Sequence, residues 1–170
     1  MKHYGISPWE INVITSILDK RFQTEDEEIE NTYEEKFVSH LEISFPYSFN
    51  DEFFKWFDYK EWDRLKGVFK EMKRRRGDGK AIRINLNFSG QPDINFVIES
   101  DESQWFKMEV EKIDFVVELL PYHLDEKNIP KDVKSVIYNF DQEAARWRLN
   151  TVFTSEKKFV NSKNGWKLST

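Results

Sequence analysis

The chain contains no cysteine. That removes disulfides, thiolate metal sites and thiol nucleophiles in one step, and it fits a reducing compartment. Long apolar runs are also missing: none approaches the ~20 residues of a membrane span. The opening stretch MKHYGISPWE lacks the apolar core of a secretory leader, so a cytoplasmic protein is expected. With six glycines and five prolines, no segment reads as a flexible linker, an internal repeat or a low-complexity tract. There is no G-x-S-x-G elbow, and the GDGK stretch at 77–80 lacks the spacing and strand-to-helix order of a phosphate loop. Among 31 acidic residues no pair stands out as a general acid and base. The expectation is therefore a non-catalytic protein that needs no cofactor.

What is present points to a folded chain. At 170 residues it suits a single domain over 1–170 with a sizeable core. An aromatic share of 16% offsets a lean aliphatic content, because each ring buries a large area. The formal net charge is -5 and the pI about 5.4. That balance is a poor match for bulk DNA and suits a basic protein partner.

The first helix start is well marked. Ser7, Pro8 and Glu10 form a capping box with proline at the first helical position, which predicts a helix over 8–21. Residues 24–36 hold seven carboxylates and one lysine and read as an exposed helix or a mobile acidic connector. Strict alternation predicts a half-buried strand over 37–45. Two helical pieces follow, capped near Asn50 and Asp58 and ending at Gly77. Residues 82–88 and 94–99 alternate cleanly around an SGQPD turn. Pairing Phe88 with Ile94, Leu86 with Phe96 and Ile84 with Ile98 puts every apolar side chain on one face. The same logic adds a third strand ending near 111, with Phe106, Met108 and Val110 facing inward.

Residues 112–120 fit a strand or a helical stripe, and β-branched and aromatic content favours strand. Residues 130–150 show a helical stripe of Val133, Val136, Ile137, Phe140, Ala144 and Trp147. The basic tail 154–170 reads as a short hairpin around Asn164 and Gly165 or as a loose end. The fold class expected from this pattern is α+β: an antiparallel sheet of about four strands, made of a three-stranded meander over 81–111 plus the strand 37–45, packed against several helices.

Three constellations carry the functional reading. The aromatic cluster of 45–62 and the sheet face beyond it nominate Phe53, Trp56, Phe57, Val97 and Trp105 as contacts for a protein partner or a second copy. The basic block nominates Arg74, Arg75, Arg76, Lys80 and Arg83 as a phosphate or nucleic-acid corner, flanked by Asn85, Asn87 and Asn95. The cations of 73–76 also match the negative end of a helix dipole without any ligand. His40 with Glu42 and His123 with Asp125 are weak metal-ligand pairs, and no metal is expected. Together these favour a protein-binding domain, in the form of an inhibitor or immunity-type antagonist of a basic enzyme. A nucleic-acid or phosphate binder is the alternative.

Overall fold

The computed structural model describes residues 1–31 and 37–170. Part of the acidic connector of 24–36 therefore lies outside the described residues. The described strands form one mixed nine-stranded sheet in the order β2-β1-β3-β4-β5-β6-β7-β8-β9. Their ranges are β1 Lys2–Tyr4, β2 Glu27–Glu28, β3 Ser39–Phe45, β4 Ile82–Phe88, β5 Asp93–Ile98, β6 Val133–Asp141, β7 Arg146–Thr154, β8 Lys158–Ser162 and β9 Gly165–Ser169. The helices are α1 Pro8–Leu18, α2 Asp51–Phe57, α3 Tyr59–Arg76, α4 Ser103–Lys112 and α5 Val116–His123.

The expected four-stranded antiparallel sheet is corrected in size and in direction. β3 pairs with β4 in parallel, and so does β5 with β6. Parallel neighbours need a crossover, which two-residue turns cannot supply. α2 with α3 makes the first crossover and α4 with α5 the second. The β4–β5 hairpin does have the register read from alternation, with Phe88 opposite Ile94, Leu86 opposite Phe96 and Ile84 opposite Ile98. The third meander strand does not form; those residues are α4. Phe106, Glu109, Val110 and Ile113 are buried at helical spacing, which competed in the sequence with the alternation of Phe106, Met108 and Val110. Residues 112–120, read as strand, mostly belong to α5.

The expected helix over 130–150 is the hairpin β6–β7. Val136, Tyr138 and Phe140 face inward against Val152, Leu149 and Trp147. Register shifts at Val133/Ser135 and Ile137/Tyr138 break the alternation, and this disguised two strands as one helical stripe. The tail folds back as the hairpin β8–β9, with Ser162 opposite Gly165.

The helices cover one face of the sheet. Phe45 stacks on Phe88 with ring centroids 4.8 Å apart, and Phe49 meets Phe96 at 4.9 Å. Trp62, Phe54, Phe57 and Phe69 fill the space between α3 and the strands. Among the described residues the opposite face carries no helix, and it presents Glu42, Asn85, Asn87, Asn95 and Asn139.

The corner between β1 and β3 leaves no room for a side chain at Gly5. Its φ is +63°, and an added Cβ would lie 2.4 Å from the Val38 carbonyl oxygen. Gly5→Ala should lower stability by about 1–3 kcal/mol, through left-handed strain and a backbone clash. Gly67, inside α3 with open space around it, gives the contrast. Gly67→Ala should raise stability by about 0.5–1 kcal/mol. Denaturation midpoints of the two variants should shift in opposite directions.

Candidate functional site

Helix α5 is apolar on two sides. Val116, Val117 and Leu120 pack on the core. Phe115 at its start, Leu119 and Tyr122 follow at positions i, i+4 and i+7 and share the other stripe. They are 62%, 44% and 70% exposed. A helix needs one apolar stripe to join a core, so this second one is surplus to folding.

Four hydrogen bonds place α5 beside the C-terminal strands. The Trp62 Nε1 and Lys66 Nζ both donate to Asp114 Oδ1, at 3.2 and 3.1 Å, and fix where α5 begins. Trp147 Nε1 donates to the Glu109 carbonyl at 3.0 Å, tying β7 to α4. Trp166 Nε1 donates to the Asn128 carbonyl at 2.7 Å, tying β9 to the loop after α5.

A cleft opens between these parts. β8 is in register with β7 only at residues 151–153, although β7 begins at Arg146. Asn161 Nδ2 donates to the Leu149 carbonyl at 3.0 Å and closes the ladder there. Beyond it, among the described residues, no strand pairs with the first half of β7 on that side. The resulting cleft has a volume of about 630 Å³ and is lined by α5, β7 and the β8–β9 tip, including Leu119, Tyr122, Trp147 and Trp166. His123 forms part of it, with Nδ1 3.0 Å from the Tyr138 hydroxyl. Burial, reinforced by Arg146, holds the His123 pKa below its usual value, so the ring is neutral at neutral pH.

The charge around this cleft differs from that of the chain as a whole. Residues 127–170 carry nine Lys and Arg against four Asp and Glu, whereas residues 1–126 carry 17 against 27. Lys127, Arg146 and Arg148 line the cleft. Arg148 is paired with Asp141 at 2.8 Å. Among the described residues Arg146 makes no ion pair.

The residues nominated from sequence fall elsewhere. Phe53 and Phe57 are buried core residues, stacked on one another at 5.6 Å, so their apolar surface is satisfied within the chain. Trp56 is 38% exposed and stacks on Tyr47 at 4.6 Å. Val97 is buried although it points to the helix-free face, and Trp105 is half-buried on α4 rather than on the sheet.

The basic corner is not brought together. Arg76 makes two 2.8 Å bonds to Glu10 and also bonds the Ser39 hydroxyl at 2.9 Å. Arg74 and Arg75 bond Glu71. Arg83 pairs with Glu99 at 3.2 Å on the helix-free face, and Lys80 lies over the Phe37 ring. The histidines are also apart. His40 is buried beside Tyr4 on the helix-free side of the sheet, and burial, with Arg83 nearby, lowers its pKa to about 4. His123 lies on the helix side. Glu42 sits opposite Lys2, and Asp125 accepts from the Lys127 amide at 2.9 Å. Among the described residues no group of three or more metal-ligating side chains gathers.

A second cleft, of about 360 Å³, lies at the β5–α4 corner and is lined by Glu99, Asp101, Glu102 and Glu109, with no Lys or Arg among the described residues. Glu109 is only 2% exposed. It accepts from the Ser100 hydroxyl at 2.6 Å and from the amides of Glu99 and Ser100, both at 3.2 Å. Burial drives its pKa up to about 7 against the pull of those donors, and Glu99 adds to the rise.

Sequence reading missed the α5 stripe, Trp166 and the parted strands. The stripe was visible in principle. Once Phe106, Val110, Ile113 and Val117 are assigned to the core side, Phe115, Leu119 and Tyr122 are left over in a second phase. The cleft was not visible, because it depends on where β8 stops pairing.

No described helix is long and apolar enough to cross a membrane. No family model, curated protein or solved structure matches the chain.

Proposed function

We propose that the chain is a non-catalytic protein-binding domain, with its contact surface on α5 and the cleft beside it. One observation carries this reading. Three large apolar side chains form a continuous exposed stripe that the core does not use, and it runs into a cleft floored by Trp147 and rimmed by Trp166. Scattered exposed apolar residues need no explanation, but a contiguous stripe beside a concavity has the character of an interaction site. Aromatic anchors are also the residues that dominate protein interfaces.

The narrower role of antagonist to a basic enzyme rests on net charge. Such an antagonist would have to use acidic surface away from the cleft, because the cleft beside the stripe is lined by Lys127, Arg146 and Arg148. The nucleic-acid alternative draws on the 74–83 corner, whose arginines are occupied by Glu10, Glu71 and Glu99. That makes it the weaker reading.

The test is co-purification of tagged protein from its own host, with and without nuclease, comparing wild type with Leu119→Glu/Tyr122→Glu. The expected result is a stoichiometric protein partner that survives nuclease and is lost from the double variant at an unchanged thermal midpoint. Both positions are exposed, so the change costs roughly 0.5 kcal/mol or less. Equal recovery with both proteins, or recovery only of nucleic acid, overturns the reading.

A further inference from the structure

We propose that the cleft between α5, the first half of β7 and the β8–β9 tip takes an extended acidic segment of a partner protein that carries at least one aromatic or leucine anchor. This rests on the protein-binding reading above and names the partner's chemistry and its mode of attachment.

Three independent features converge on that occupant. The first is backbone. β7 runs from Arg146, but β8 accompanies it only over 151–153. Apart from the Leu149 carbonyl, which accepts from Asn161, the first half of β7 has no strand partner on that side among the described residues. An extended chain adds to such an edge through main-chain hydrogen bonds, with side-chain pockets giving specificity. Asn161, bonded to the Leu149 carbonyl, marks the closed end of the slot.

The second feature is apolar surface. Leu119 and Tyr122 on one wall and Trp166 on the other border a volume of about 630 Å³. That lies within the range of roughly 300–1,000 Å³ typical of sites that bury a ligand. An anchor side chain on the added segment would enter between them.

The third feature is charge. Lys127, Arg146 and Arg148 line the slot, and among the described residues no Asp or Glu does. The surrounding 127–170 portion has a formal charge of +5 within a chain of -5. An acidic segment is drawn to this end and repelled by the remainder, which sets its orientation as well as its on-rate.

The exposed α5 stripe favours a protein occupant over a nucleic acid, since phosphates gain nothing from Phe115 and Leu119. It also favours a segment of another protein over a second copy, because a symmetric pairing of two such clefts would set Lys127, Arg146 and Arg148 of each copy against one another.

The experiment selects random 12-residue peptides displayed on phage against the immobilised full chain. Enriched sequences are then made as labelled synthetic peptides and measured by fluorescence polarisation. The expected peptides carry net negative charge and one Phe, Trp or Leu. Arg146→Glu/Lys127→Glu should weaken them at least tenfold, and Arg146→Ala, the milder change, several-fold. Raising salt from 50 to 300 mM should weaken them, and N-methylation of alternate peptide amides should abolish binding in one register and not in the other.

Several results overturn the proposal. Peptides of neutral or basic composition that depend on Leu119 and Tyr122 would remove the acidic segment and leave the protein-binding reading standing. Peptides indifferent to Leu119→Glu/Tyr122→Glu and to Arg146→Glu alike would remove both. Competition by a 12-nucleotide single-stranded DNA would replace the peptide with nucleic acid. A concentration-dependent dimer in sedimentation, lost on Leu119→Glu/Tyr122→Glu, would make the occupant a second copy.

Discussion

Arg76→Ala should cost about 3–5 kcal/mol of folding stability, the scale for removing one partner of a buried ion pair. Glu10 is almost wholly buried, and Arg76 holds it through two 2.8 Å bonds. Burial by itself would raise the Glu10 pKa. The Arg76 guanidinium and the Ser7 amide outweigh it and hold the carboxyl below its usual value. Without Arg76 the carboxylate would be left buried beside the Ser7 amide, the Ser39 hydroxyl would lose its donor, and the Gly5 carbonyl would keep only the Ser39 hydroxyl. Arg74→Ala and Arg75→Ala, whose side chains are exposed and paired with Glu71, should each leave the unfolding midpoint close to that of wild type. Urea midpoints measure this directly, and an Arg76 variant grouped with its two neighbours would contradict the assignment. The sign in acid follows from the lowered pKa. The pair's contribution is complete above the ordinary glutamate value and fades as pH falls through the folded one. One practical consequence is that charge reversal across 74–76 cannot report on ligand binding, since the third position holds α3 to α1.

Stability should also fall as pH rises from about 5 to 8, by about 3 kcal/mol from Glu109 alone. Its folded pKa of about 7 lies above the ordinary glutamate value of 4.5, so the native state binds the proton more tightly than the unfolded chain. The contribution is complete below about pH 4.5 and is lost as pH passes through about 7. The groups facing it are Glu99, Asp101 and Glu102 around the cleft, Ser100 and Gln142, and Lys73. The lysine is committed to the Gly79 and Asp101 carbonyls and is not hydrogen-bonded to Glu109. Glu109→Gln keeps the shape and can donate to Ser100. It should flatten the profile between pH 5 and 8 and leave the variant more stable than wild type at pH 8. Parallel profiles for the two proteins would place the dependence elsewhere. Glu10 acts in the opposite sense in acid, so a stability maximum near pH 5 is expected from the two together.

Much of the left side of the sheet was legible because local signals and tertiary demands agree there. The Ser7 capping box appears as read, with both reciprocal bonds formed. Gly77 ends α3 at φ +79°. The β4–β5 register follows from alternation that has only one solution with the apolar side chains on the same face. At α4 two periodicities coexisted in the same residues, and the choice was decided by a parallel neighbour: β6 lies beside β5 and demands a crossover. At 130–150 the spacing of the apolar residues was read as a helix. The register shift in β6–β7 made the spacing misleading.

By itself, then, the sequence determined the capped helices, the central hairpin and the absence of thiol chemistry, because each depends on composition or on neighbours within a few residues. The tertiary structure decided sheet size and strand direction, because these depend on pairing between segments far apart in the chain. It also decided the fate of the arginines. A charge run has no fixed meaning until the carboxylates it will meet are known, and Glu10 and Glu99 lie 66 and 16 positions from their partners. The candidate cleft belongs to the same class: it exists because β8 leaves β7 early while α5 stands over the gap, and neither segment records the other.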